Sequence, residues 1–189
     1  MKKQFKQLGT TLFAALVIFA TSCEKEHEDD HKHDEGELIT KIILSLTNDS
    51  NSNDSQIAIW SDIDGIGGED PILPDTLRLK ISDSYHGNLK FYTTHDNEFE
   101  DITYEIIEEA DEHLICYTPN TLAQVVTMQI DRLDKDNNGL DLGLETFWKG
   151  KMQDTGSIIL SLKHQPDIKN GECGIGETDV EIQVPYIFD

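Results

Sequence analysis

Positive charge is what this chain has least of. Fifteen Lys and Arg stand against 37 Asp and Glu, a formal net charge of −22. A nucleic-acid partner requires a basic face, and this chain lacks the cations to build one. Long apolar runs are missing too. The run at residues 12–20 (LFAALVIFA) is too short to cross a bilayer, which takes about 20 residues. The sequence holds no G-x-S-x-G elbow and no H-E-x-x-H pair. No two carboxylates stand out among the 37 as an acid–base pair for glycoside hydrolysis. The chain therefore reads as a non-enzyme. No fixed-period repeat is visible. Hydrophobic residues make up 37% of 189 residues, low for a soluble protein but enough for one folded domain.

What is present begins with an address. Lys2, Lys3 and Lys6 form a basic start, the apolar run follows, and Ala20-Thr21-Ser22 leads to Cys23. Ala20-Thr21-Ser22-Cys23 resembles the bacterial lipobox, which implies a diacylglyceryl group on Cys23 and cleavage before it. An ordinary signal peptide that happens to contain a cysteine is the alternative. Residues 1–22 read as a lipoprotein signal peptide and 23–37 as a disordered acidic tether. Several acyl chains anchor stably, at about 0.8 kcal/mol per buried methylene, where one chain does not. The run Glu24-Lys25-Glu26-His27-Glu28-Asp29-Asp30 is similar to the export signal of surface lipoproteins of the Bacteroidota. It also suits a solvated spacer, because like charges repel and extend the chain.

From Leu38 onward the apolar pattern has period two. Leu77, Leu79 and Ile81 alternate with polar neighbours, as do Ile158, Leu160 and Leu162, and Val180, Ile182, Val184, Tyr186 and Phe188. Such alternation puts one side of a strand in a core and the other in water. Weaker copies occur at 38–47, 56–62, 85–94, 114–118, 125–133 and 142–148, with turn-rich breaks at 48–55, 62–75, 134–138 and 166–176. Phe99, Ile102, Ile106 and Ala110 instead recur at helical spacing, with Glu100 and Asp101 at the favourable end of the dipole. A bulged strand is the alternative there. Residues 38–189 are thus expected to be all-β: an immunoglobulin-like antiparallel β-sandwich with one short helix or helical turn.

Several segments carry a family resemblance: Asp62 to Gly68, Glu100 to Tyr117, Asp136-Asn-Asn-Gly139 with Gly143-Leu144, Gly156 to Pro166, and Glu177 to Glu181. Over most of the mature chain the sequence resembles a family of short Bacteroidota outer-membrane lipoproteins. Its members often carry the label "type 1 periplasmic binding fold superfamily", a fold of two α/β lobes whose helix–strand alternation this chain lacks. The resemblance implies an outer-membrane address, lipid-anchored on the cell surface or on the periplasmic face, and a β-fold. It implies no mechanism.

Three sets of residues carry chemistry. Cys116 and Cys173 remain once Cys23 takes the lipid; outside the cytoplasm they pair as a disulfide, or they stay a buried strand thiol and an unrelated loop thiol. His27, His31 and His33 lie among carboxylates in the tether, a donor set suited to a divalent ion such as Zn2+. An acidic spacer with incidental histidines is the bland alternative. Asp134, Asp136, Asn138 and Glu145 fit the D-x-[DN]-x-[DN]-G-x5-E loop of calcium sites, with Gly139 at its sixth place. Their flanks alternate like strands, and Asn138-Gly139 is a hairpin signal, so a long acidic hairpin competes with a Ca2+-binding turn. Asp62, Asp64, Glu69 and Asp70 surround glycines in a further acidic loop, read as a turn whose acids could cup a cation; no Lys-Ser or Lys-Thr follows, which excludes a phosphate cradle. The sequence suggests a lipid-anchored β-sandwich with a metal-binding tether, accessory to uptake through an outer-membrane receptor. A non-metal adhesive or structural surface module is the alternative.

Overall fold

The computed structural model describes residues 38–65, 67–95, 98–123 and 125–189. Cys23, His27, His31 and His33, with the rest of residues 1–37 where a signal peptide and a tether are expected, lie outside the described residues.

Among the described residues, period-two alternation becomes ten strands in two sheets. In the first, β2 (Asn51–Ser61), β1 (Lys41–Asn48), β4 (Ser84–His95), β8 (Glu145–Gly150) and β7 (Met128–Arg132) lie in that order, and β5 (Glu98–Asp101) also pairs with β4. The second runs β3 (Leu77–Leu79), β10 (Glu177–Phe188), β9 (Asp154–His164), β6 (His113–Thr121). Burial alternates along β1 and β4, so Ile42, Leu44, Leu46, Tyr85, Leu89 and Phe91 point inward. Ile158, Leu160 and Leu162 of β9 and Ile182, Val184, Tyr186 and Phe188 of β10 supply buried residues from the other sheet. Trp148 of β8 is fully buried and meets Tyr117 edge-on, with ring centroids 5.8 Å apart. Burying one such side chain contributes about 1.5–3 kcal/mol, which is why the apolar face of each strand selects the register. The fold is an all-β sandwich.

Three local expectations change. The polar stretch read as a break at 48–55 is mostly strand, since β2 starts at Asn51 and pairs with β1 from there. A ladder needs only backbone groups, and Asn48 closes the turn by accepting from Ser50 N–H at 2.9 Å. The sandwich is also not wholly antiparallel. β3 runs parallel to β10, with Leu77 opposite Tyr186 and Leu79 opposite Phe188, because the chain arrives from the other sheet by a long crossing, not a hairpin. Finally, the helical stripe is split. Phe99 lies exposed on β5, and only Ile102, Ile106 and Ala110 turn inward around α1 (Thr103–Glu108). Asp101 accepts from Thr103 N–H at 3.1 Å as the chain leaves β5. The Thr103 hydroxyl both donates to Phe91 C=O and accepts from Phe91 N–H, which ties the helix to β4.

Cys116 of β6 and Cys173 of the 166–176 connection form a disulfide, with Cα atoms 6.0 Å apart. Buried Gln165 closes the same connection by donating Nε2 to the carbonyls of Glu172 and Ile175, both at 2.9 Å. Among the described residues no helix is long and apolar enough to cross a membrane.

Candidate functional site

The calcium-like loop is the connection between β7 and β8, and its carboxylates are already engaged. Asp134 accepts from the N–H groups of Gly143 and Glu145 through Oδ1 and of Leu144 through Oδ2, at 2.9–3.1 Å. Gly143 has φ +103°, and a Cβ there would meet Ile115 O and the Arg132 side chain, so glycine lets the three amides converge. Asp136 Oδ1 accepts from Asn138 N–H and Leu140 N–H, both at 2.8 Å. Its Oδ2 pairs with Lys169 Nζ at 2.8 Å, and both side chains are buried. Lys169 Nζ also donates to Ala110 O just beyond α1, at 2.7 Å.

The third-position carboxylate therefore already holds a cation, an ammonium supplied by the chain itself. A calcium ion ligated as the spacing suggests would have to displace it. Asn138 and Glu145 are exposed, and Glu145 faces Asn88 across the β4–β8 ladder. Among the described residues no three His, Cys, Asp or Glu side chains stand together in a metal-ligating group. Lys169 lies 33 residues from its partner, and nothing in the local sequence marks it.

Lys169 braces the two walls of a groove of about 560 Å³. The groove exists because β4 changes partner. It pairs with β8 over Ser84–Asn88 and with β5 over Tyr92–His95, leaving Leu89 to Phe91 to be met by Leu144, Ile102 and Thr103. Tyr104 and Ile107 of α1, both at least half exposed, form one side, and 134–137 the other. Lys90, ion-paired with Asp101 at 2.9 Å, and Glu145 edge it, while Leu142 and Leu144 lie beneath. Its volume is in the range of small-molecule sites, about 300–1,000 Å³.

His113 begins β6 and is buried, stacked on His164 of β9 with ring centroids 5.0 Å apart. Glu109 O contacts its Nδ1 at 3.1 Å, and Glu112 lies 3.5 Å from His164 Nε2. At the far end of the sandwich Asp154 accepts from the hydroxyls of Thr121, Thr127 and Tyr186, at 2.6–2.8 Å. Burial and the bond to Asp154 push the Tyr186 phenol up to about 12.

Burial alone would raise the carboxyl pKa of Asp136 and Asp154. The bonds from Lys169 and two amides for the first, and from three hydroxyls for the second, outweigh it and hold both below the usual 3.8. Folded values below unfolded ones mean that the stabilisation is complete above about pH 4 and is lost as pH falls through the folded values. Acid titration followed by circular dichroism should show unfolding that begins below about pH 4. The Asp136→Asn/Asp154→Asn variant, less stable at neutral pH, should show a flatter acid limb; an unchanged limb would assign the acid transition to other groups.

No protein-family model, curated protein or solved structure matches this chain.

Proposed function

We propose that this chain is a lipid-anchored, non-catalytic binding module of the outer membrane, held at the cell surface through Cys23, whose tether captures a divalent metal as an accessory to receptor-mediated uptake. The leader sequence supports the address, and the Cys116–Cys173 disulfide suits an oxidising compartment. The observation that carries the metal assignment is the engaged loop. With Asp134 on three backbone amides and Asp136 on Lys169, the nitrogen ligands His27, His31 and His33 are the better metal donors. A second reading, an adhesive module without metal, is favoured by the groove, where Tyr104 and Ile107 stand exposed beside paired charges.

Calorimetry separates the two. Zinc should bind the mature chain with saturable heat that disappears when His27, His31 and His33 are all changed to Ala. Calcium should give little heat. Zinc heat that survives the triple change removes the tether from the mechanism. Tight calcium binding abolished by Asp134→Ala would move the site to the β7–β8 loop.

A further inference from the structure

The groove beside α1 is held open by a buried strut. Lys169 Nζ ties Ala110 O, just beyond α1, to Asp136 on the opposite wall, at 2.7 and 2.8 Å. The spacing of the walls is therefore set before any ligand arrives. A preformed groove of about 560 Å³ takes a ligand of disaccharide size and loses little to ordering on binding. Leu89, Leu142 and Leu144 give it an apolar floor. Tyr104 and Ile107 stand three residues apart and so on one face of α1; they are 65% and 50% exposed and line the wall above that floor.

Most charges around this groove are already spent. Lys90 pairs with Asp101 at 2.9 Å and Lys135 with Asp141 at 2.6 Å. Asp134 holds its three amides and Asp136 holds Lys169. The amides of Asn88 and Asn137 and the carboxylate of Glu145 have no hydrogen-bond or ion-pair partner among the described residues, and all three are exposed. Asn88 and Glu145 lie directly opposite each other on β4 and β8, a placement that sets Cβ atoms about 5 Å apart. Asn137 stands on the wall across from α1.

We propose that this groove recognises a neutral saccharide of disaccharide size; the proposal rests on the reading of the groove as an adhesive site and names what adheres. A sugar ring has an apolar face of C–H groups, which Tyr104 and Ile107 can cover, and a rim of hydroxyls that both donate and accept. The amides of Asn88 and Asn137 also do both, and the Glu145 carboxylate accepts from adjacent hydroxyls in charge-assisted bonds. Other ligand classes leave part of the groove unmet. An anion meets Glu145 in a chain of net charge −22 and finds Lys90 and Lys135 already paired. A cation finds a single free carboxylate among the described lining residues. A wholly apolar ligand covers two amides and a carboxylate without bonding them, which costs their hydration.

The test titrates the mature chain by calorimetry with maltose, cellobiose and lactose, with anionic lactobionate, and with the capped tripeptide acetyl-Ala-Leu-Ala-amide. EDTA in the buffer keeps the tether histidines free of metal. Saturable binding of at least one neutral disaccharide below 10 mM is expected, unchanged by 150 mM salt because the ligand carries no charge. Tyr104→Ala should weaken it at least about tenfold, and Asn88→Ala/Glu145→Gln at least about threefold. These side chains are exposed, so the urea midpoint should not move. No saturable binding of any neutral disaccharide overturns the proposal. So does binding unchanged in both variants, or tighter binding of lactobionate or the tripeptide than of every neutral sugar. Tripeptide binding lost in Tyr104→Ala would remove the sugar and leave the groove an adhesive site for protein. Failure of all five probes would remove the adhesive reading as well.

Discussion

Replacing Lys169 by Met is expected to cost the fold about 3–5 kcal/mol, the usual loss when one partner of a buried ion pair is removed. The side chains of Lys169 and Asp136 are 2% and 0% exposed, so water cannot take over from the missing ammonium. Ala110 O loses its donor at the same time. A domain of this size has about 5–15 kcal/mol in total, so the variant should be marginal. The urea midpoint should fall by at least about 1 M, given slopes of about 1–3 kcal/mol per M. Adding Asp136→Asn should recover part of the loss: the buried charge goes, while an amide oxygen remains for the N–H groups of Asn138 and Leu140. A midpoint shift under about 0.3 M in Lys169→Met would show that the pair is solvated in solution and does not brace the groove.

Cys116→Ser/Cys173→Ser should be the other large loss. The disulfide closes a loop of 57 residues, and the chain-entropy relation gives about 4 kcal/mol for that length. Reduction of the unmodified chain should lower the urea midpoint by a similar amount. The free Cys173 end would loosen the connection that carries Lys169, and Arg132, which donates to Cys173 Sγ at 3.2 Å and to Ile115 O at 2.7 Å, would lose one contact. The two perturbations act on one segment, so their combination should depart from the sum by about 0.5 kcal/mol or more. Strict additivity would show that the disulfide and the ion pair stabilise separate parts of the domain.

Much of the architecture was legible because strand burial has period two and each inward row is apolar. Ile182 to Phe188 and Leu77 to Leu79 announce their buried faces one residue at a time. Polar strands leave no such trace, which hides the start of β2 at Asn51. A six-residue helix holds fewer than two turns, so its stripe is easily confused with the residues of β5 before it.

Composition and local pattern by themselves determined the acidic character, the expectation of a leader and tether, and the sandwich class. These depend on neighbours within a few residues, where spacing and side-chain type are sufficient. Only the tertiary structure decided which groups face the acids. Asp136 meets Lys169, His113 stacks on His164, and Cys116 reaches Cys173. Each of these depends on which strands lie side by side or on how a connection folds back. A loop that matches a calcium motif residue by residue can therefore hold a lysine from a distant connection, because the occupant of a carboxylate is chosen by whatever the fold brings within about 3 Å.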